Sequence, residues 1–143
     1  MGVKEKDVGQ YVNKLHNKIR RELDISATRN GINGAQARTL IYILVETQTH
    51  DIFQKDVEEK YSIRPSTASA LLKKMEQAGL IVRQSMPEDN RRKRIIPTAK
   101  AEQARSGVMA DIIQLENKLT AHIDDADLAV FFKVMAQMLE NMR

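Results

Sequence analysis

The chain has 143 residues, a formal net charge of +4 and no cysteine, which suits one compact domain and excludes disulfides, thiolate metal sites and thiol redox sensing. No apolar run approaches the roughly 20 residues that span a bilayer, and the opening MGVKEKDVGQ lacks the apolar core of a signal peptide. A soluble cytoplasmic protein is the simplest expectation, and the cysteine usage fits an intracellular one.

Val8, Val12, Leu15, Ile19 and Leu23 recur every three or four residues, the apolar stripe of an amphipathic helix over 7–29 that Asn30 and Gly31 can stop. Asn33 and Gln36 have capping-box spacing, and Leu40, Ile41, Leu44 and Val45 carry a second helix over about 34–47. Ile52 to Tyr61 reads as a short helix with Val57 and Tyr61 on one face, and Ser62 and Ile63 fill a turn. Pro65 suits the first position of the next helix, where a missing amide costs nothing. That helix runs to Gln77 with Ala68, Leu71, Leu72 and Met75 on its inner face. Its outer face then holds Ser66, Thr67, Ser69, Ala70, Lys73 and Lys74, with no acid and no bulky apolar side chain.

Gly79 can end this helix in a left-handed cap, LIVRQ has strand composition, and a PEDN turn leads to a return strand over about Lys93 to Pro97. Thr98 is placed to cap a helix of about 22 residues bearing Val108, Ile112, Leu115 and Leu119. Asp124 or Asp125 can cap the last helix, whose Leu128, Phe131, Phe132, Met135, Met138, Leu139 and Met142 form a wide apolar stripe. The order helix, helix, turn, helix, hairpin, long helix is a mainly α fold with a small β-hairpin wing: a winged helix-turn-helix with helical extensions at both ends. One domain over 1–143 is expected, with a winged lobe at 32–98 and a helical dimerisation lobe at 1–30 and 99–143.

Charge is concentrated where a nucleic acid would sit. Arg64 to Arg94 contains eight Lys/Arg (Arg64, Lys73, Lys74, Arg83, Arg91, Arg92, Lys93, Arg94) against Glu76, Glu88 and Asp89, a net +5, so the rest of the chain sums to −1. A sequence pI near 9.4 agrees with a polyanionic partner, but the clustering is the stronger argument.

The wing carries Asp89, Asn90 and Arg91, then RKRIIPT ending at Pro97 and Thr98; INGAQ stands at Ile32 to Gln36 and MEQAGLI at Met75 to Ile81. With these motifs the chain from Gly31 to Thr98 resembles the MarR family of bacterial transcriptional regulators, in its wing, second-helix start and helix-to-strand junction. The helices on either side match the family's dimerisation region. The resemblance implies that Arg91 enters the DNA minor groove, with Asp89 orienting it or the wing backbone. A guanidinium favours a narrow minor groove, where phosphates on both sides deepen the negative potential.

Arg92, Lys93 and Arg94 are then expected on phosphates, as are Lys73 and Lys74. Ser66, Thr67 and Ser69 can donate to phosphate oxygens or base edges, although Ser66 and Thr67 could equally satisfy first-turn amides. Two positions depart from the family pattern: Arg64 stands where many members have a small capping residue, and Ala70 where many have an Arg. Arg64 can supply the missing base contact or touch phosphate alone.

The end helices carry more apolar surface than the winged lobe can cover, so self-association is expected through Val8, Val12, Leu15, Ile19, Leu128, Phe131, Phe132, Met135, Met138 and Leu139. A two-fold homodimer implies a pseudo-palindromic operator on duplex DNA. Many family members bind small phenolic or lipophilic effectors between the dimer helices and the winged lobe. Tyr42, Arg38, His16 and Arg20 lie on helices that could line such a region, and each also has an ordinary surface or packing explanation. His16, His50 and His122 lack the paired spacing of a helical metal site, and no cofactor is expected. No nucleophile with a base, glycine-rich phosphate loop or ligand cluster points to an enzyme. The expectation is a homodimeric repressor released by a small-molecule effector; the alternative is a winged-helix protein-interaction module without specific DNA binding.

Overall fold

The structure, a computed structural model, describes residues 6–143, and the side chains of all of these except 27–30. The first five residues, with their part in the signal-peptide expectation, lie outside the described residues. Six helices and one hairpin follow in the order α1 (Val8–Asn30), α2 (Gly34–Glu46), α3 (Gln54–Tyr61), α4 (Pro65–Gln77), β1 (Ile81–Met86), β2 (Asp89–Pro97), α5 (Ala99–Thr120) and α6 (Asp125–Asn141). No described helix is long and apolar enough to cross a membrane.

The helix ends follow from local chemistry. Asn33 Oδ1 accepts from the Gln36 amide at 3.1 Å, Thr98 Oγ1 from Ala101 at 3.3 Å, and Asp124 Oδ1 from Asp127 at 2.9 Å. Between the two capping candidates of the last helix, Asp124 therefore takes the role. Pro65 occupies the first turn of α4, and Gly79 follows the helix with φ +76°, a conformation that glycine adopts without a Cβ clash.

Two expected boundaries shift. The third helix starts at Gln54 instead of Ile52, because Phe53 is extended at its N-cap and donates its amide to Asp56 Oδ2 at 2.8 Å. Ile52 instead accepts a backbone hydrogen bond from Ile95 at 2.7 Å, so the segment leading into α3 pairs with the wing. The return strand starts at Asp89, not near Lys93, because the chain reverses over Pro87 and Glu88 alone and Asp89 and Asn90 already belong to β2. The antiparallel register pairs Ile81 with Pro97 and Ser85 with Lys93, then Met86 with Asp89. Asn90, Arg91 and Arg92 have no partners in that register and form a bulge.

The core joins α2, α3, α4, the hairpin and α5. Leu40, Ile43, Ile52, Val57, Leu72 and Met75 are fully buried, with Leu80, Ile81 and Ile95 of the hairpin region packed beside them. α1 packs on α2 and α5. It is held there by buried Leu23 and by an exposed ion pair between Glu22 and Lys118 at 2.7 Å. α6 differs from every other helix in having no buried residue.

At Gly34 α2 comes close to α1: a Cβ built there would lie 2.6 Å from Leu23 Cβ. Gly→Ala within a helix ordinarily stabilises by roughly 1 kcal/mol, yet here the contact cannot be relieved by a flexible side-chain end. Gly34→Ala is therefore expected to destabilise by about 1–3 kcal/mol in urea unfolding. A stabilised variant would show that α1 does not press on α2 as described.

Candidate nucleic-acid interface

α4 is held by one face. Ala68, Leu72 and Met75 are fully buried, whereas Ser66, Thr67, Ser69, Ala70, Lys73 and Lys74 are exposed, as the helical period requires. The hydroxyls of Ser66, Thr67 and Ser69 make no hydrogen bond among the described residues, and Arg64 at the N-cap contributes no side-chain capping bond. The possibility that Ser66 and Thr67 satisfy first-turn amides is not realised, which leaves three donors pointing outward. Gln54 Nε2 donates to the Pro65 carbonyl at 3.2 Å, linking the start of α3 to the start of α4.

Ser66, Thr67, Ala70 and Lys74 line an open cleft of about 410 Å³ together with Arg20 of α1, the N-cap Asn33 and Gln36 of α2. The cleft lining contains two cations and no carboxylate. Arg20 therefore lies beside α4, whereas the other three residues expected near an effector region lie elsewhere. His16 lines an apolar groove of about 610 Å³ between α1 and α6, and Arg38 bonds Glu116 of α5 at 3.1 Å. Tyr42 packs edge-on against Tyr61 with ring centroids 6.0 Å apart.

In the wing, the Arg91 side chain is 93% exposed. Asp89 Oδ1 accepts from the Arg91 backbone amide at 3.0 Å and from its Nε at 3.4 Å, so one carboxylate braces both the bulge and the guanidinium. The neighbouring cations are engaged differently. Arg94 donates to Gln84 Oε1 at 2.8 Å and lies 3.7 Å from Asp51, and the Arg92 guanidinium sits over the Phe53 ring at 4.1 Å. Arg83 pairs with Glu76 at 3.6 Å. Among the described residues, Arg64, Lys73, Lys74 and Lys93 have no ion-pair partner.

His50 adjoins this region, with Nε2 2.9 Å from Glu46 Oε2 and Nδ1 3.2 Å from the Asp51 carbonyl. The bond to the Asp51 carbonyl, then the Glu46 carboxylate, raises its pKa. The fold thus favours charged His50, a contribution present below the unfolded pKa and lost as pH rises through the folded one. Burial similarly lifts the Tyr61 phenol.

Sequence reasoning did not single out Phe53, Asp51 or Gln84. Phe53 is one of only three phenylalanines and stands outside every apolar stripe, the one signal that could have drawn attention to it.

The fold and this site define a winged helix-turn-helix protein. Residues 30–92 match the model of the MarR family, so the family resemblance holds through the region that contains α2, α3, α4 and most of the hairpin. A solved MarR transcription regulator from Oenococcus oeni is 25% identical with a TM-score of 0.79, covering 94% of this chain and 99% of that one. A heme sensor protein, PefR, solved with heme and carbon monoxide, is 26% identical with a TM-score of 0.65, covering 95% and 94%. The Staphylococcus aureus MepR–DNA complex shares the fold at 20% identity and a TM-score of 0.87, covering 96% and 99%. Among curated proteins, no sequence matches this chain significantly.

Asp89→Ala removes the acceptor of the Arg91 amide at an exposed tip. It is expected to leave global stability within about 0.5 kcal/mol while accelerating hydrogen exchange at the Arg91 amide by NMR. Unchanged exchange would mean that Asp89 does not brace the bulge.

Proposed function

We propose that this chain is a MarR-family transcriptional regulator that binds duplex DNA as a homodimer and acts by binding, without a catalytic step. One observation carries the reading: α4 turns three unpartnered hydroxyls and two unpaired lysines outward, next to a wing whose Arg91 is 93% exposed. A helix with short donors at its N-terminal end can enter the major groove, and an extended arginine beside it can occupy the adjoining minor groove.

In this reading Ser66, Thr67 and Ser69 meet base edges or phosphates, and Arg64 supplements them from the helix start where Ala70 offers no long donor. Lys73, Lys74 and Lys93 neutralise phosphates. Arg91 reads minor-groove width, with Asp89 holding its direction.

A second copy of the chain is the partner for the end helices. Phe132 is 62% exposed, Leu139 65% and Val8 55%, and α6 buries no residue in the monomer. Such a surface resembles an obligate interface more than a solvated one. We place 1–30 and 99–143 in a dimerisation lobe and 32–98 in a DNA-binding lobe of one domain. Pairing two winged lobes fixes the spacing of two α4 helices and calls for a pseudo-palindromic operator. A regulator of this kind is proposed to act as a repressor, with a small phenolic or lipophilic effector altering that spacing.

Selection of duplexes from a random pool should return a two-fold motif, with log affinity falling steeply against log salt. Arg91→Ala should then weaken binding of the selected duplex about tenfold. Recovery of no motif, with weak and salt-insensitive binding, would overturn this function in favour of a protein-interaction module. Replacing Phe132 and Leu139 together by Glu should convert the parent dimer to monomer in sedimentation experiments; a parent that sediments as a monomer would remove the second copy.

A further inference from the structure

Three consecutive residues before α3 grip three residues of β2, each by a different interaction. Asp51 lies 3.7 Å from the Arg94 guanidinium, the Ile52 carbonyl accepts from the Ile95 amide at 2.7 Å, and the Phe53 ring lies 4.1 Å beneath the Arg92 guanidinium. Phe53 is itself fixed as the N-cap of α3 by the hydrogen bond that its backbone amide donates to Asp56 Oδ2, and α3 packs on α4. A continuous mechanical path therefore runs from α4 through α3 and Phe53 to the bulge that carries Arg91.

We propose that Arg92 is a positioning residue and Phe53 its seat: their stacking sets the angle of the wing against α4 and so delivers Arg91 to the DNA. This rests on the DNA-binding reading above and reassigns Arg92 from holding phosphate. The guanidinium carbon lies over the ring, 4.1 Å from its centroid, a cation–π contact that arginine makes more often than lysine. Withdrawing it to reach a phosphate would uncover the partly buried ring. The bulge gives the reason that a seat is needed. Asn90, Arg91 and Arg92 lack partners in the strand register, so the hairpin's own pairing does not fix the backbone that carries Arg91. Asp89 braces Arg91 from one side of the bulge, and the Phe53 stack holds it from the other.

The test uses the full chain and the duplex that the parent selects. Phe53→Leu should weaken binding about fivefold, and the penalty of Arg91→Ala should shrink several-fold in that background, while the penalty of Arg64→Ala stays the same. Arg92→Ala should cost little more once Phe53 is Leu, and Phe53→Tyr should retain parental binding. Without DNA, Phe53→Leu and Arg92→Ala should each speed amide exchange at Ile95, whereas Arg91→Ala should not. The inference is overturned if Arg92→Ala adds its full cost to Phe53→Leu and lowers the salt slope by about one, the signature of a lost phosphate contact. It is equally overturned if Ile95 exchange is unchanged. A parent that selects no duplex removes the DNA-binding reading and this delivery role together, whereas a parent that selects one while Phe53→Leu leaves the Arg91 penalty intact removes this role alone.

Discussion

The burial of Ala68, Leu72 and Met75 is the constraint on which the rest of the interface depends. All three are fully buried against the elements around α4, and at 3.6 residues per turn their positions define one narrow stripe. Turning α4 by a single residue, about 100°, would place charged or hydroxylated side chains in the core and bring Leu72 toward water. Burying a hydroxyl without a partner costs about 1–3 kcal/mol and a charge more, and exposing a leucine costs about 1.5–3 kcal/mol. The outward direction of Ser66, Thr67, Ser69, Lys73 and Lys74 is therefore a product of core packing. No contact among the described residues is needed to aim them.

The positive charge of the same region is less uniform than its count suggests. Arg83 neutralises Glu76, Arg94 is tied to Gln84 and Asp51, Arg92 rests on an aromatic ring, and Arg91 is braced by Asp89. These four arginines are oriented by partners, which suits planar guanidinium groups that bind through fixed geometry. Lys73, Lys74 and Lys93 lack ion-pair partners among the described residues, as does one arginine, Arg64 at the start of α4. Flexible ammonium groups without partners suit a phosphate backbone, where charge matters more than direction. Arg64 apart, the division between shape and charge follows residue type.

Much of this was legible in the sequence because helices announce themselves twice, by period and by cap. Asn33, Pro65, Gly79 and Thr98 each occupy the role that their side-chain chemistry indicated. The apolar stripe on α6 was equally visible, since Leu128, Phe131, Phe132, Met135, Met138 and Leu139 recur at helical spacing. The wing was harder. A three-residue bulge breaks the two-residue alternation by which strands are recognised, so the start of β2 at Asp89 left no periodic trace. The Phe53–Arg92 contact lies between distant parts of the chain, and an isolated aromatic before a helix carries no pattern that names its partner. For the same reason Ile52 read as helical although its carbonyl pairs with Ile95.

In the function proposed, core packing of α4, a seated wing and the apolar end helices together make two identical reading heads joined by a helical base. Hydroxyl-radical footprinting of the selected duplex examines that arrangement most directly. Two symmetric sets of protection are expected, each a minor-groove tract at a wing beside a major-groove contact at α4, with the two α4 contacts about one DNA turn apart. Loss of the minor-groove tracts in Arg91→Ala should leave the central symmetry in place. A single asymmetric footprint, or protection that spreads without regard to sequence, would contradict it.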